Sequence, residues 1–248
     1  MEWRIGCSGF LYREWKEIFY PKGLAAKNWF QYYCEHYNTI EINSSFYKLP
    51  TIAALKAWYD KSPQDFLFTI KAPRGITHFK KFNDIQPVVN DFYSLIEEGL
   101  GDKLGCILFQ LPPSYSYTEE RLYNILNHLN PNYQNVLEFR HASWWNEHAI
   151  RELSLQNITF SGISYPSALP DDLIQNTEVV YYRFHGRPVL YKSLYEQTEI
   201  EDFVKQFDEP AKRVFVYFNN TWGTSALTNS KQLMELVNSE NTQGIKLL

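Results

Sequence analysis

Val136-Leu137-Glu138-Phe139-Arg140-His141-Ala142-Ser143-Trp144-Trp145 reads as a β-strand running into a helix. Apolar residues fill its start, alternation sets in at Leu137, and Ser143 offers its hydroxyl as the N-cap of the helix. With a period of two, Val136, Glu138 and Arg140 face one side, and Leu137, Phe139 and His141 face the other. A carboxylate and a guanidinium then point the same way at the strand's C-terminal end. Removing water from such groups is costly unless they are paired or remain wetted. The pair is either structural or part of a site, and the remaining strands bear on which.

Strand-like and helix-like segments alternate outward from this stretch in both directions, the pattern of a parallel sheet flanked by helices. Strands are expected at Trp3 to Ser8, Thr39 to Ser45, Phe66 to Lys71, Leu104 to Leu111, Ile158 to Ile163, Val179 to His185 and Val214 to Asn219. Helices are expected from Ala25 to His36, after Thr51 as cap, after Thr118 with Glu119 and Glu120 in the first turn, and from Ser225 to Val237. Eight strands alternating with helices in 248 residues fit a closed (β/α)8 barrel of the TIM type. The alternative is an open doubly wound sheet. Against it, the first turn reads Gly6-Cys7-Ser8-Gly9, not G-x-G-x-x-G, and no Walker lysine motif is present.

The chain is 44% hydrophobic and 21% charged, without a linker-like stretch, so residues 1–248 read as one soluble domain. A formal net charge of -4 gives no global attraction to nucleic acid or anionic membrane. No secretory signal and no membrane-spanning run is visible, and the cytoplasm is the expected location. Cys7, Cys34 and Cys106 are odd in number, far apart and set among apolar neighbours, which suits reduced core thiols.

A barrel has one lumen, and one parity of each strand must face it. Ser8, Glu41, Asn43, Lys71, Gln110, Glu138, Arg140, Arg183, His185 and Asn219 all fall on the polar parity, near the C-terminal ends of their strands. Two acids, Glu41 and Glu138, face three bases, Lys71, Arg140 and Arg183, with His185 able to go either way. At least one positive charge is left over. A carboxylate, a phosphate or a phosphorylated compound would balance it, and arginine presents a planar fork to such groups.

Neighbouring cations lower carboxylate pKa values, so Glu41 and Glu138 are candidate bases or nucleophiles and His185 the candidate acid. A metal held by Glu41, Glu138 and His185, with His141 or His78, is disfavoured by the three cations and by the absence of an H-E-x-x-H spacing. No cofactor is expected. Ser8 lacks the G-x-S-x-G context of a nucleophile and reads as a hydrogen-bond donor. Aromatics gather at the expected mouth, among them Phe10, Tyr12, Trp15, Phe46, Tyr47, Trp144, Tyr191, Tyr195 and Trp222. They form either a packed lid or flat faces for a ligand, with Tyr12, Trp144 and Tyr191 as candidate contacts.

These pieces together resemble the YecE-like family, a domain of unknown function numbered 72. The matching segments are Gly6-Cys7-Ser8-Gly9, Glu14-Trp15, Phe19-Tyr20-Pro21, Glu41 through Tyr47 with Pro50, Lys71 with Thr77-His78, and Gln110-Leu111-Pro112-Pro113. Glu138-Phe139-Arg140-His141 with Trp144, Arg183-Phe184-His185-Gly186, and Phe218-Asn219-Asn220 with Gly223 complete the set. The resemblance implies a TIM-type barrel and brings no activity with it. Two positions depart from the family's pattern: Phe10 stands where Trp is common, and Ser164-Tyr165-Pro166 ends the sixth strand where an aspartate is expected. Asp171 and Asp172 lie too far along to substitute.

The expected function is an enzyme acting by acid/base chemistry on a small anionic, phosphorylated or sugar-like substrate at the barrel mouth. A nucleic-acid-binding or phosphodiester-processing protein, using the mouth aromatics with Arg74, His78, Lys80 and Lys81, is the alternative. A noncatalytic ligand-binding scaffold is the third reading.

Overall fold

A computed structural model describes residues 1–207 and 211–244, with side chains described through 239. The strands are β1 (Glu2–Cys7), β2 (Thr39–Ile42), β3 (Leu67–Lys71), β4 (Leu104–Gln110), β5 (Asn135–Glu138), β6 (Thr159–Phe160), β7 (Gly162–Ser164), β8 (Val179–Phe184) and β9 (Arg213–Phe218). Every pairing between them is parallel, in the orders β2-β3-β4-β5-β6 and β1-β9-β8-β7. β6 and β7 are the two halves of the expected sixth strand, parted at Ser161. At the opposite seam a single parallel bridge, Ser8 to Glu41, joins β1 to β2. The fold is therefore a TIM-type α/β barrel whose ladder is interrupted at two seams.

The helices are α1 (Trp29–Cys34), α2 (Ile52–Lys61), α3 (Gln86–Leu100), α4 (Glu119–His128), α5 (Glu147–Leu155), α6 (Gln197–Lys205) and α7 (Ser225–Gly244). Thr51 and Thr118 cap α2 and α4 as expected, each accepting a backbone N–H at 3.2 Å. The expected first helix is shorter, because Ala26–Asn28 forms a 3-10 turn ahead of α1. Ser143 is not a helix N-cap. The chain first makes a 3-10 turn over Ala142–Trp144, which drives the Trp144 ring inward, and Asn146 then caps α5 through Ala149 N at 2.8 Å. Ser143 Oγ accepts from Tyr117 N at 2.7 Å instead.

Two apolar layers follow from the strand parity. Ile40, Ile70, Phe109, Leu137 and Phe160 pack outward against the helices, together with Leu55, Phe92 and Ile125. Cys106, Leu108, Val136, Tyr181, Phe215 and Tyr217 fill the lumen. Each large side chain so buried contributes about 1.5–3 kcal/mol. Tyr217 OH lies 2.6 Å from Thr39 Oγ1 and 2.9 Å from Thr69 Oγ1, so the lumen's hydroxyls satisfy one another beneath the mouth. At the opposite end, Lys103 Nζ donates to the Tyr59 and Ser62 carbonyls at 2.7 and 2.9 Å, satisfying carbonyls at the C-terminus of α2. Cys7, Cys34 and Cys106 are buried free thiols, in agreement with the sequence reading. No helix among the described residues is long and apolar enough to cross a membrane.

Candidate functional site

The polar parity converges at the C-terminal ends of the strands. Glu41 lies in β2, Lys71, Gln110 and Glu138 are the last residues of β3, β4 and β5, and Arg183 is next to last in β8. Ser8, His185 and Asn219 each follow directly on a strand. Arg183, fully buried, donates through Nη2 to Glu41 Oε1 and through Nη1 to Glu138 Oε2, both at 2.7 Å. One guanidinium therefore ties β2 to β5 across the barrel.

Each carboxylate is saturated with donors. Glu41 accepts from Ser8 Oγ at 2.6 Å, Asn43 Nδ2 at 3.0 Å and Tyr181 OH at 2.6 Å, besides Arg183. Glu138 Oε1 accepts from Arg140 Nε at 2.6 Å, with Arg140 Nη2 also in contact. Burial opposes ionisation of both acids, but the arginines and hydrogen bonds overcome it and hold both carboxyls below their usual range, Glu138 far below. Carboxylates so stabilised are weak bases. Both are engaged with the arginines.

His185 is fully buried, with Nε2 3.3 Å from Glu138 Oε2 and 3.0 Å from Arg140 Nη2. Its Nδ1 lies 2.9 Å from the Asn219 amide nitrogen. Burial and then Arg140 and Arg183 push its pKa well below 6.5, so the ring is neutral. A neutral ring accepts at one nitrogen only, so Arg140 and Asn219 cannot both donate to it. The role of proton donor expected of His185 does not suit a ring that refuses its proton.

That refusal has a measurable consequence. The unfolded chain protonates His185 below about 6.5 and the folded chain does not, so its contribution to stability is full above that pH and falls as pH descends through it. By pH 5.5 the loss should reach about 1.4 kcal/mol. Urea unfolding at pH 7.5 and 5.5 should show a smaller difference for His185→Asn than for the unaltered chain. Equal differences would mean that the ring is protonated in the fold.

Lys71 differs from the two arginines. Its Nζ donates to Gln110 Oε1 at 3.0 Å and lies 4.4 Å from the centre of the Phe46 ring. Among the described residues no carboxylate forms a salt bridge with it. Burial, followed by the field of Arg183, lowers its pKa to about 8. Lys71, Asn43, Gln110 and Asn219 remain partly exposed at the mouth, and the Arg140 side chain keeps 8% of its surface against 1% for Arg183.

The structure brings Ser8, Glu41, Asn43, Lys71, Gln110, Glu138, Arg140, Arg183, His185 and Asn219 into one cluster. Tyr12 borders it, its hydroxyl donating to the Ser8 carbonyl. Tyr191, 46% exposed, sets its ring 6.5 Å from that of His185. Trp144 does not reach the mouth: it is fully buried on the helix side, stacked 4.0 Å from Phe139, with its indole N–H on the Tyr115 carbonyl at 2.7 Å. Phe10, Trp15 and Tyr195 are likewise buried as packing, whereas Tyr47 and Trp222 are exposed. His141 turns away and lies 2.8 Å from Ser143 Oγ, and His78, its pKa lowered to about 4 by burial and cations, meets the Phe46 ring edge-on.

Two contributors escaped the sequence reading. Tyr165 places its ring 4.0 Å from the Arg140 guanidinium and edge-on to His185, at the end of the strand where an aspartate was expected. Tyr181, two residues before Arg183 in β8, donates its hydroxyl to Glu41, a bond that the pattern of apolar and aromatic residues in that strand does not reveal. Beside Glu41 a pocket of about 200 Å³ is lined by Ser8, Phe10, Tyr12, Asn43 and Trp58 among others. Asn43 Oδ1 is buried there without a protein partner among the described residues.

Residues 4–246 match the family described as "Protein of unknown function DUF72". The UPF0759 protein YunF of Bacillus subtilis is 28% identical over 255 residues, spanning 89% of this chain and 90% of its own length. The UPF0759 protein YecE of Escherichia coli K12 is 26% identical over 114 residues, 46% of this chain and 42% of its own. A DUF72 family protein from Thermotoga maritima, TM1631, superposes with a TM-score of 0.84 at 27% identity, covering 96% of this chain and 100% of that one. A second, EF0366 from Enterococcus faecalis, gives 0.80 at 20% identity over 95% of each chain, a likeness of fold. From its N-terminal strand to α7, then, the chain belongs to the DUF72 family.

Proposed function

We propose that the protein is an enzyme acting on a small anionic substrate at the C-terminal mouth of the barrel. The reading rests on one observation: three cations face two carboxylates around a neutral His185, and two of those cations, Lys71 and Arg140, are less completely buried than Arg183. The surplus positive charge sits where a ligand arrives, in a region whose buried walls strengthen the field. Arg140 is oriented by Glu138 and by the Tyr165 ring, so its fork is held in place before a ligand binds. The pocket beside Asn43 would take an uncharged part of the same molecule, with Asn43 Oδ1 accepting a hydrogen bond from it. With Glu41 and Glu138 committed to the arginines, proton transfer falls to Lys71, the partly exposed group whose pKa lies nearest neutrality.

Calorimetric titration with inorganic phosphate tests the reading. Arg140→Ala should weaken binding at least about ten-fold, the loss of one charge-assisted pair. Affinity should also fall as pH rises through about 8, because Lys71 then loses its proton. Binding that ignores both the substitution and the pH would overturn the proposal.

A further inference from the structure

Building on the anion site just described, we propose that Lys71 is an amine nucleophile that forms a Schiff base with the carbonyl group of an anionic aldehyde or ketone. Its surroundings set it apart from a lysine that serves only as a charge. Nζ is held by two uncharged groups, the Gln110 amide oxygen at 3.0 Å and the Phe46 face at 4.4 Å. The nearby acids are occupied elsewhere: Glu41 by Arg183, and Glu138 by Arg140 and Arg183. A lysine with cations beside it and no carboxylate bound to it yields its proton readily, which is how amine nucleophiles are activated. The same two arginines that disfavour the ammonium attract the anionic part of the substrate and so bring its carbonyl to Nζ.

The step balances without another reactant. The ammonium of Lys71 releases one proton, and the nitrogen lone pair attacks the carbonyl carbon. A C–N bond forms while the carbonyl π electrons move to oxygen, which takes up a proton to give a carbinolamine. Loss of water then breaks the C–O bond and leaves a C=N iminium. The two hydrogens lost from nitrogen leave with the oxygen as water, and the single positive charge of Lys71 is retained. The site's charge therefore does not change as the bond forms. At neutral pH a lysine of pKa about 8 holds about two hundred times more free amine than an exposed one of about 10.4, in accord with this chemistry.

The test is reductive trapping of the whole chain with pyridoxal 5′-phosphate as a phosphorylated aldehyde, with unphosphorylated pyridoxal as control. Borohydride reduces the C=N bond to a stable secondary amine, which peptide mass mapping locates. Lys71 should be labelled at least about ten-fold faster by the phosphorylated aldehyde, and inorganic phosphate should slow that labelling. Lys71→Arg keeps the cation and should still bind inorganic phosphate in calorimetry while losing this label. Phosphate binding with no adduct at Lys71 would overturn the Schiff base and leave the anion site standing. Equal labelling of Lys71 by both aldehydes, without phosphate binding, would overturn the anionic substrate class and the proposed function with it. Label spread over exposed lysines such as Lys22 and Lys48, with Lys71 no faster than they are, would overturn the nucleophile.

Discussion

Arg183→Met is expected to destabilise the protein by about 3–5 kcal/mol, the cost of leaving buried charge without its partner. Among the described residues Arg183 alone bonds both buried carboxylates, at 2.7 Å each, and all three side chains are at most 1% exposed. Once it is gone, Glu138 keeps Arg140, but Glu41 keeps only the neutral donors Ser8, Asn43 and Tyr181. Those hydrogen bonds solvate a carboxylate without neutralising it, in a lumen walled by Val136, Tyr181 and Phe215. Against a total stability of about 5–15 kcal/mol the loss is a large fraction. It should also depend on pH in a defined direction. In the unaltered chain the arginines keep both carboxyl pKa values below 4.5, a contribution present above that pH and lost as pH falls through the lower folded-state values. The variant lacks much of that contribution, so the gap between the two proteins should narrow below about pH 4.5. Urea unfolding midpoints at pH 7 and pH 4 measure both effects. A gap below about 1 kcal/mol at pH 7, or one that pH leaves unchanged, would mean that the carboxylates do not depend on Arg183.

The parity rule placed Ser8, Glu41, Lys71, Glu138, Arg140 and Arg183 on one face because parallel strands that line a lumen alternate strictly, and a residue's side then follows from counting. Counting cannot say which charge takes which partner. That is settled by the reach of side chains from strands far apart in the sequence: Arg183 lies 142 residues from Glu41 and 45 from Glu138. Nor does it say how complete the pairing is, and completeness turned two candidate bases into fixed counter-ions. Trp144 was misplaced for a local reason. Its position after a polar strand end suggested a loop ring at the mouth, but the 3-10 turn over Ala142–Trp144 rotates it onto Phe139 and into the helix layer. The break at Ser161 lies in a run of residues suited to a strand, and only the pairing on either side reveals it: Phe160 with β5, Gly162 with β8. Tyr165 lies just past the last residue of β7, where strand parity no longer assigns a side. The structure gives that position a cation–π contact with Arg140 instead of an acid.

Gly6→Ala should be the most damaging single methyl addition at the seam between β1 and β2. A Cβ at Gly6 would lie 2.4 Å from the Thr39 carbonyl oxygen and 3.0 Å from Tyr33 OH. The first of these is backbone, so no side chain can swing aside, and the two strands must part by about 1 Å to reach ordinary contact. The seam has little to spare, since β1 and β2 share the isolated Ser8–Glu41 bridge and a relay through Tyr33, whose hydroxyl accepts from Cys7 N at 2.8 Å and donates to Thr39 O at 3.1 Å. Forcing the strands apart breaks that relay, and buried groups left unpaired cost about 1–3 kcal/mol each, in addition to about 1–3 kcal/mol for overpacking. The damage then propagates to the site. Ser8 follows Gly6 by two residues, and its hydroxyl is one of the donors that hold Glu41, which in turn positions Arg183. Phosphate affinity should therefore fall together with stability, although no charged group has been altered. Gly75→Ala provides the control, because a Cβ there meets nothing within 4 Å, and it should leave stability within about 0.5 kcal/mol. Should Gly6→Ala unfold at the same urea concentration as Gly75→Ala, the seam yields more easily than its contacts imply. Should it lose stability yet bind phosphate unchanged, Glu41 and Arg183 keep their places without support from Ser8.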